Sequence, residues 1–157
     1  MSRSGADLAQ LLLGGFRILA DQATAELVAR GYEEIRPAQE FALQAILSGT
    51  DNASDLGRRL SVSKQAAAKT IAALEELNYV AREPDPADKR RMHLYVTAHG
   101  LAMLREGAEI FEKLRAQWEK KVGTDALSQV EATLRQLVGD SGGQLDTPAW
   151  LARGLEE

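Results

Sequence analysis

The sequence predicts a mainly α fold with one small β hairpin, an α+β chain, on three observations. Apolar residues recur at helical spacing through the first and last thirds. Two short, capped segments in the middle stand at helix-turn-helix spacing, and the pattern then switches to strand-like pieces around a charged loop.

Leu8, Leu11, Leu12, Leu19, Ala23 and Leu27 fall near helical spacing, so an amphipathic helix is expected from about residue 6 to residue 30, ending near Gly31 and kinking at Gly14 and Gly15. Pro37 suits the first turn of a second helix, and between Phe41 and Leu47 only Gln44 is polar, which predicts burial on most sides. Ser48 to Asp51 ends it. Asn52 is placed to cap a short helix over 53–60 and Ser63 another from Lys64 to about Leu77, with only Ser61 and Val62 between them. Tyr79–Arg82 and Met92–Val96 read as strands around a loop from Glu83 to Asp88. Thr97 caps a long helix whose Leu101, Leu104, Ala108, Phe111, Leu114, Trp118 and Val122 form an apolar stripe. Gly123 and Thr124 break it before Leu127, Val130, Leu134 and Leu137, and Gly139 to Gly143 ends the last helix. The role of the tail, 146–157, stays open, with Trp150 either in an unstructured segment or packed on a partner.

At 157 residues, 45% hydrophobic and 27% charged, the chain has the balance of a globular protein, sized for one domain or for a small lobe plus helices that need a partner. There is no cysteine, which excludes disulfides, thiolate metal sites and cysteine-oxidation sensing. No apolar run approaches the roughly 20 residues that span a bilayer, and the N-terminus lacks the basic-then-apolar order of a signal peptide. A cytoplasmic protein without membrane partners is expected. Net charge is −4, against nucleic-acid binding at first sight, but 54–91 holds eight basic and six acidic residues while both flanks are acidic. Arg58, Arg59, Lys64 and Lys69 follow one another with no acid between, and Lys89, Arg90 and Arg91 form a second cluster. Two basic clusters on an acidic body suggest focused phosphate contacts.

At 100° per residue, Lys64, Gln65, Ala68, Lys69 and Ala72 share one helix face and Ala67, Ile71, Leu74 and Leu77 another. The second face packs, leaving the first for a groove, where Gln65 suits an adenine edge and either lysine suits guanine or phosphate. A solvated lysine-bearing face is the plain alternative. Asp88, Arg90 and Arg91 stand at or beside a hairpin tip, where a guanidinium suits the narrow minor groove. Arg91 begins the strand and equally suits a phosphate. His93 and His99 are the only histidines, too few to suggest a metal site, and no cofactor is expected. No paired carboxylates, nucleophile with a base or glycine-rich phosphate loop suggests an enzyme.

The segments Ser54-Asp-Leu-Gly-Arg-Arg-Leu60 and Ser63-Lys-Gln-Ala-Ala-Ala-Lys69, the Asn78-Tyr79-Val80 that follows, the Asp88-Lys-Arg90 of the loop and Thr97-Ala-His-Gly100 together resemble the MarR family of regulators. Ala68 and Thr70 depart from it, standing where a Ser or Thr and an apolar residue are common. The resemblance implies a winged helix-turn-helix with N- and C-terminal dimerisation helices: 1–34 and 97–145 for dimerisation, 35–96 for DNA. It further implies a homodimeric transcriptional regulator, a repressor, on a pseudo-palindromic promoter site in double-stranded DNA, contacted through Arg58, Ser63, Lys64, Gln65, Lys69, Asp88, Arg90 and Arg91. Arg90 would enter the minor groove and Asp88 would hold the tip. A small aromatic or phenolic effector would release the DNA, with Phe16, Tyr32, Phe111 and Trp118 as candidate pocket residues, although core packing is the stronger reading of each. The alternative is a winged-helix module for protein contact without sequence-specific DNA binding.

Overall fold

The computed structural model describes residues 4–139. Six helices and one hairpin follow in the order α1 (Gly5–Ala29), α2 (Pro37–Leu47), α3 (Ala53–Leu60), α4 (Lys64–Glu76), β1 (Val80–Pro84), β2 (Met92–Val96), α5 (Ala98–Val122) and α6 (Thr124–Val138). The tail with Trp150 lies outside the described residues.

Local chemistry sets these limits. Ser4 accepts from the Asp7 amide and Asp7 reciprocates, a capping box that starts α1. Asn52, Ser63 and Thr97 accept from the amides of Asp55, Ala66 and Gly100 to start α3, α4 and α5. Pro37 opens α2 at a position where its missing N–H costs nothing. Helix α4 ends where Asn78 adopts left-handed backbone at φ 61°. Its amide donates to the Glu75 carbonyl and that of Tyr79 to the Leu74 carbonyl, so the helix closes in a Schellman turn that aims the chain into β1. The strands pair antiparallel from Val80 opposite Val96 to Pro84 opposite Met92.

Two packed clusters hold the molecule. The larger joins α2, α3, α4 and the hairpin through Leu43, Leu56, Ile71, Leu74, Tyr79 and Val80, all fully buried. At about 1.5–3 kcal/mol for each large apolar side chain, this cluster supplies most of the lobe's driving force. The smaller joins α1 to α5 through Ala23, Ile110 and Leu114.

Helix α1 runs as one 25-residue element through the adjacent Gly14 and Gly15. One sequence expectation differs from the structure. The buried stripe of α5 is Gly100, Met103, Gly107, Ile110 and Leu114. This is rotated from the expected stripe, of which Leu114 alone is buried and Leu101 and Val122 face outward. Periodicity marks an apolar face without saying which part of it the same chain covers.

Candidate nucleic-acid interface

Helix α3, the turn and α4 form a compact unit. Ser61 takes left-handed backbone, and the Val62 amide donates to the Gly57 carbonyl at 2.9 Å. A Cβ on Gly57 would lie 2.9 Å from the Val62 carbonyl oxygen, so only glycine lets the turn fold this closely over α3. Ala67, Ile71 and Leu74 then pack inward on α4. Lys64, Gln65, Ala68, Lys69 and Ala72 are all exposed, as the helical spacing predicts. Small side chains at Ala68 and Ala72 leave that face low between the longer polar ones. Ser63 spends its hydroxyl on the Ala66 amide at 3.0 Å, which ties it to helix capping. Arg58 pairs with Asp55 within α3, an exposed pair of the kind worth at most about 1 kcal/mol and therefore easily exchanged for a phosphate. Thr70, unusual for its position in the resemblance, satisfies its hydroxyl on the Ala66 carbonyl at 3.1 Å.

The hairpin tip is built by backbone and carboxylates. The Asp85 amide donates to the Arg91 carbonyl at 2.7 Å, and the Arg91 amide to the Asp88 carbonyl at 3.0 Å. The Asp85 carboxylate accepts from the Ala87 amide at 2.8 Å, and that of Asp88 from the Arg90 amide at 3.1 Å. Arg90, its guanidinium 3.5 Å from Asp88, is 94% exposed and stands clear of the tip. Arg91 turns the other way. Its guanidinium reaches both carboxylate oxygens of Asp51 at 3.2 and 3.3 Å, tying the wing to the α2–α3 connection. Asp51 also accepts from the Asn52 side chain, whose other contacts cap α3. Beside it, Arg59 donates to the hydroxyl of the buried Thr50 at 2.9 Å. The Asp51–Arg91 and Thr50–Arg59 pairings were not legible in the sequence; an acid just before a helix cap reads locally as a helix end, and nothing marks its partner forty residues away.

The candidate pocket residues are dispersed. Tyr32 stacks on His99 with ring centres 5.5 Å apart, and His99 stacks in turn on Tyr79 at 4.9 Å. Trp118 stands 3.5 Å from where a Cβ on Gly15 would lie, between α5 and α1, and Phe16 is 37% exposed on α1. Of the four, only Phe111 lines the cavity of about 210 Å³ bounded by α1, α2 and α5, together with Ala23, Leu27, Ile35, Met103 and Leu104. Its polar lining includes Glu33, Glu34 and Glu40. Those three glutamates escaped the sequence reading, which searched by aromatic type.

His93 donates from Nε2 across the hairpin to the Glu83 carboxylate at 3.1 Å. Among the described residues, no group of three or more metal-ligating side chains comes together, and no helix is long and apolar enough to cross a membrane.

A sequence model of the MarR family matches residues 35–91, the span from just before α2 to the end of the wing's tip loop. Among solved structures, the fold is similar to transcriptional regulator Tm0710 from Thermotoga maritima, at 23% identity and TM-score 0.61 over 91% of this chain and 99% of that one. It is also similar to RV1404 from Mycobacterium tuberculosis, at 19% identity and TM-score 0.69 over 90% and 97% of the two chains. MepR of S. aureus bound to ethidium bromide matches at 16% identity and TM-score 0.59, over 87% and 95%. A MepR variant with the same fold is bound to an oligodeoxyribonucleotide. No curated protein matches the chain.

Proposed function

We propose that this chain, whose residues 35–91 match a model of the MarR family, is a DNA-binding transcriptional regulator that works as a homodimeric repressor. Two copies bind a pseudo-palindromic promoter site and a small ligand releases them. The observation that carries this reading is the pairing of two differently built surfaces. On α4 a polar face is exposed above a fully buried one, and on the wing Arg90 projects from a tip whose shape is fixed by four hydrogen bonds.

In this reading, Gln65, Lys64 and Lys69 face a major groove while Arg90 enters the adjoining minor groove, held by Asp88. Arg58 and the amino end of α4, capped by Ser63, serve the backbone. Arg91 acts mainly through Asp51, steadying the wing, and meets phosphate only if that pair opens. The exposed apolar residues Leu8, Leu11 and Leu12 of α1 and Val130, Leu137 and Val138 of α6 support dimerisation, since a solitary chain gains nothing by presenting them to water. The cavity lies between α1 and α5 on one side and α2 on the other, so a ligand wedged there would bias the placing of the DNA lobe. That MepR, of similar fold, has been captured with ethidium bromide supports the effector reading.

The test is a gel shift on the promoter upstream of its own gene and on a scrambled duplex, each at two salt concentrations. Site-specific binding that survives the higher salt supports the reading; equal affinity for both duplexes rejects it.

A further inference from the structure

The cavity's size and its charge narrow what can enter it. At about 210 Å³ it exceeds the roughly 150 Å³ that admits benzene in an apolar protein interior, so a ring fits. Leu27, Ile35, Met103, Leu104 and Phe111 give it an apolar wall. Its ionisable lining is entirely acidic, Glu33, Glu34 and Glu40, without a lysine, arginine or histidine. Glu40 is half-buried on α2. Its carboxylate has no hydrogen bond or ion pair among the described residues, and burial alone pushes its pKa above the usual carboxylate range. A lone carboxylate against an apolar wall destabilises the empty cavity, is relieved by a cation and is made worse by a second anion.

We propose that this cavity takes a small amphiphilic organic cation, its ring against the Phe111 wall and its charge toward Glu40, and that it rejects aromatic acids. The proposal rests on the effector reading above and narrows it, since aromatic or phenolic compounds include many anions. Glu40 gives the cavity its charge preference and the apolar wall gives it affinity.

Calorimetric titration of the full chain at pH 7 and low salt, with benzyltrimethylammonium, benzyl alcohol and benzoate, separates charge from ring size. The cation is expected to bind at least tenfold more tightly than benzoate. Glu40→Gln should weaken the cation at least fivefold and leave benzyl alcohol unchanged. Leu104→Trp, which fills the cavity without altering charge, should abolish cation binding and keeps the test decisive if the first variant folds poorly. Benzoate binding as tightly as the cation, cation binding indifferent to both variants, or no binding by any probe overturns the proposal. Parallel measurement of DNA affinity keeps the two readings apart. Benzoate that binds and releases DNA overturns the charge assignment alone. A cation that binds through Glu40 without changing DNA affinity supports the cavity assignment and overturns the effector reading.

Discussion

Arg90 and Gln65 face the solvent from different elements and are expected to fail in different ways when removed. Arg90→Ala deletes one displayed cation per protomer, so operator affinity of the dimer should fall about tenfold or more and the salt slope should shrink by roughly two units, about one per protomer. Gln65→Ala should leave the salt slope alone and lose discrimination at one base position, by about 1–3 kcal/mol if the contact is bidentate. Titrating both variants against operator and scrambled duplex over a salt series checks this; identical profiles would refute the division. Asp51 offers a subtler case, because it touches the wing only through Arg91 at 3.2 Å. Asp51→Ala frees that guanidinium, so specific binding should fall several-fold while binding to scrambled DNA holds or rises. A parallel loss on both duplexes would mean that the pair merely supports folding.

At the scale of elements, the joint between wing and α5 depends on close approach. Thr97 donates to the Asn78 carbonyl at 2.6 Å and accepts from the Gly100 amide at 3.0 Å. A Cβ on Gly100 would stand 2.3 Å from the Tyr79 carbonyl oxygen, so Gly100→Ala must push backbone aside and should cost about 1–3 kcal/mol or more in urea unfolding. The helical framework is tied by ion pairs that respond to pH. Lys113 first, then Arg30, holds the Glu26 carboxyl below the usual range, and Arg115 does the same for Glu131. The stability these acids lend is complete above their unfolded pKa and is lost as pH falls through the lowered folded values. Glu40 has the opposite sign: its raised pKa means a charged form disfavoured by folding, so Glu40→Gln should raise the melting temperature at neutral pH and lose that advantage in acid. Melting curves of wild type, Glu131→Gln and Glu40→Gln between pH 7 and pH 3 test both signs. What was legible in the sequence at this scale was whatever is local. Asn52, Ser63 and Thr97 announce helix starts because a cap needs only its own first turn, and the α4 faces follow from 100° steps. The Asp51–Arg91 tie and the glutamate-lined cavity were not legible, because each joins residues that only the folded chain brings together. Tyr32 and Trp118 show the same limit: aromatic type alone does not separate a pocket wall from a stacking partner of His99 or a neighbour of Gly15.

For the molecule as a whole, outward-facing apolar residues on α1 and α6 ask for a second copy. Light scattering should give about twice the 17.1 kDa of one chain, and Leu11→Glu with Leu137→Glu should shift it toward the monomer and weaken operator binding together. A two-fold dimer presents two α4 faces to successive major grooves, so its site must carry the same symmetry. Selection of bound sequences from random duplex DNA therefore reads that symmetry without intermediary. An inverted repeat with half-site centres about 10 bp apart, one turn of the double helix, is expected. An enriched motif without inverted symmetry, or no enrichment at all, would contradict it.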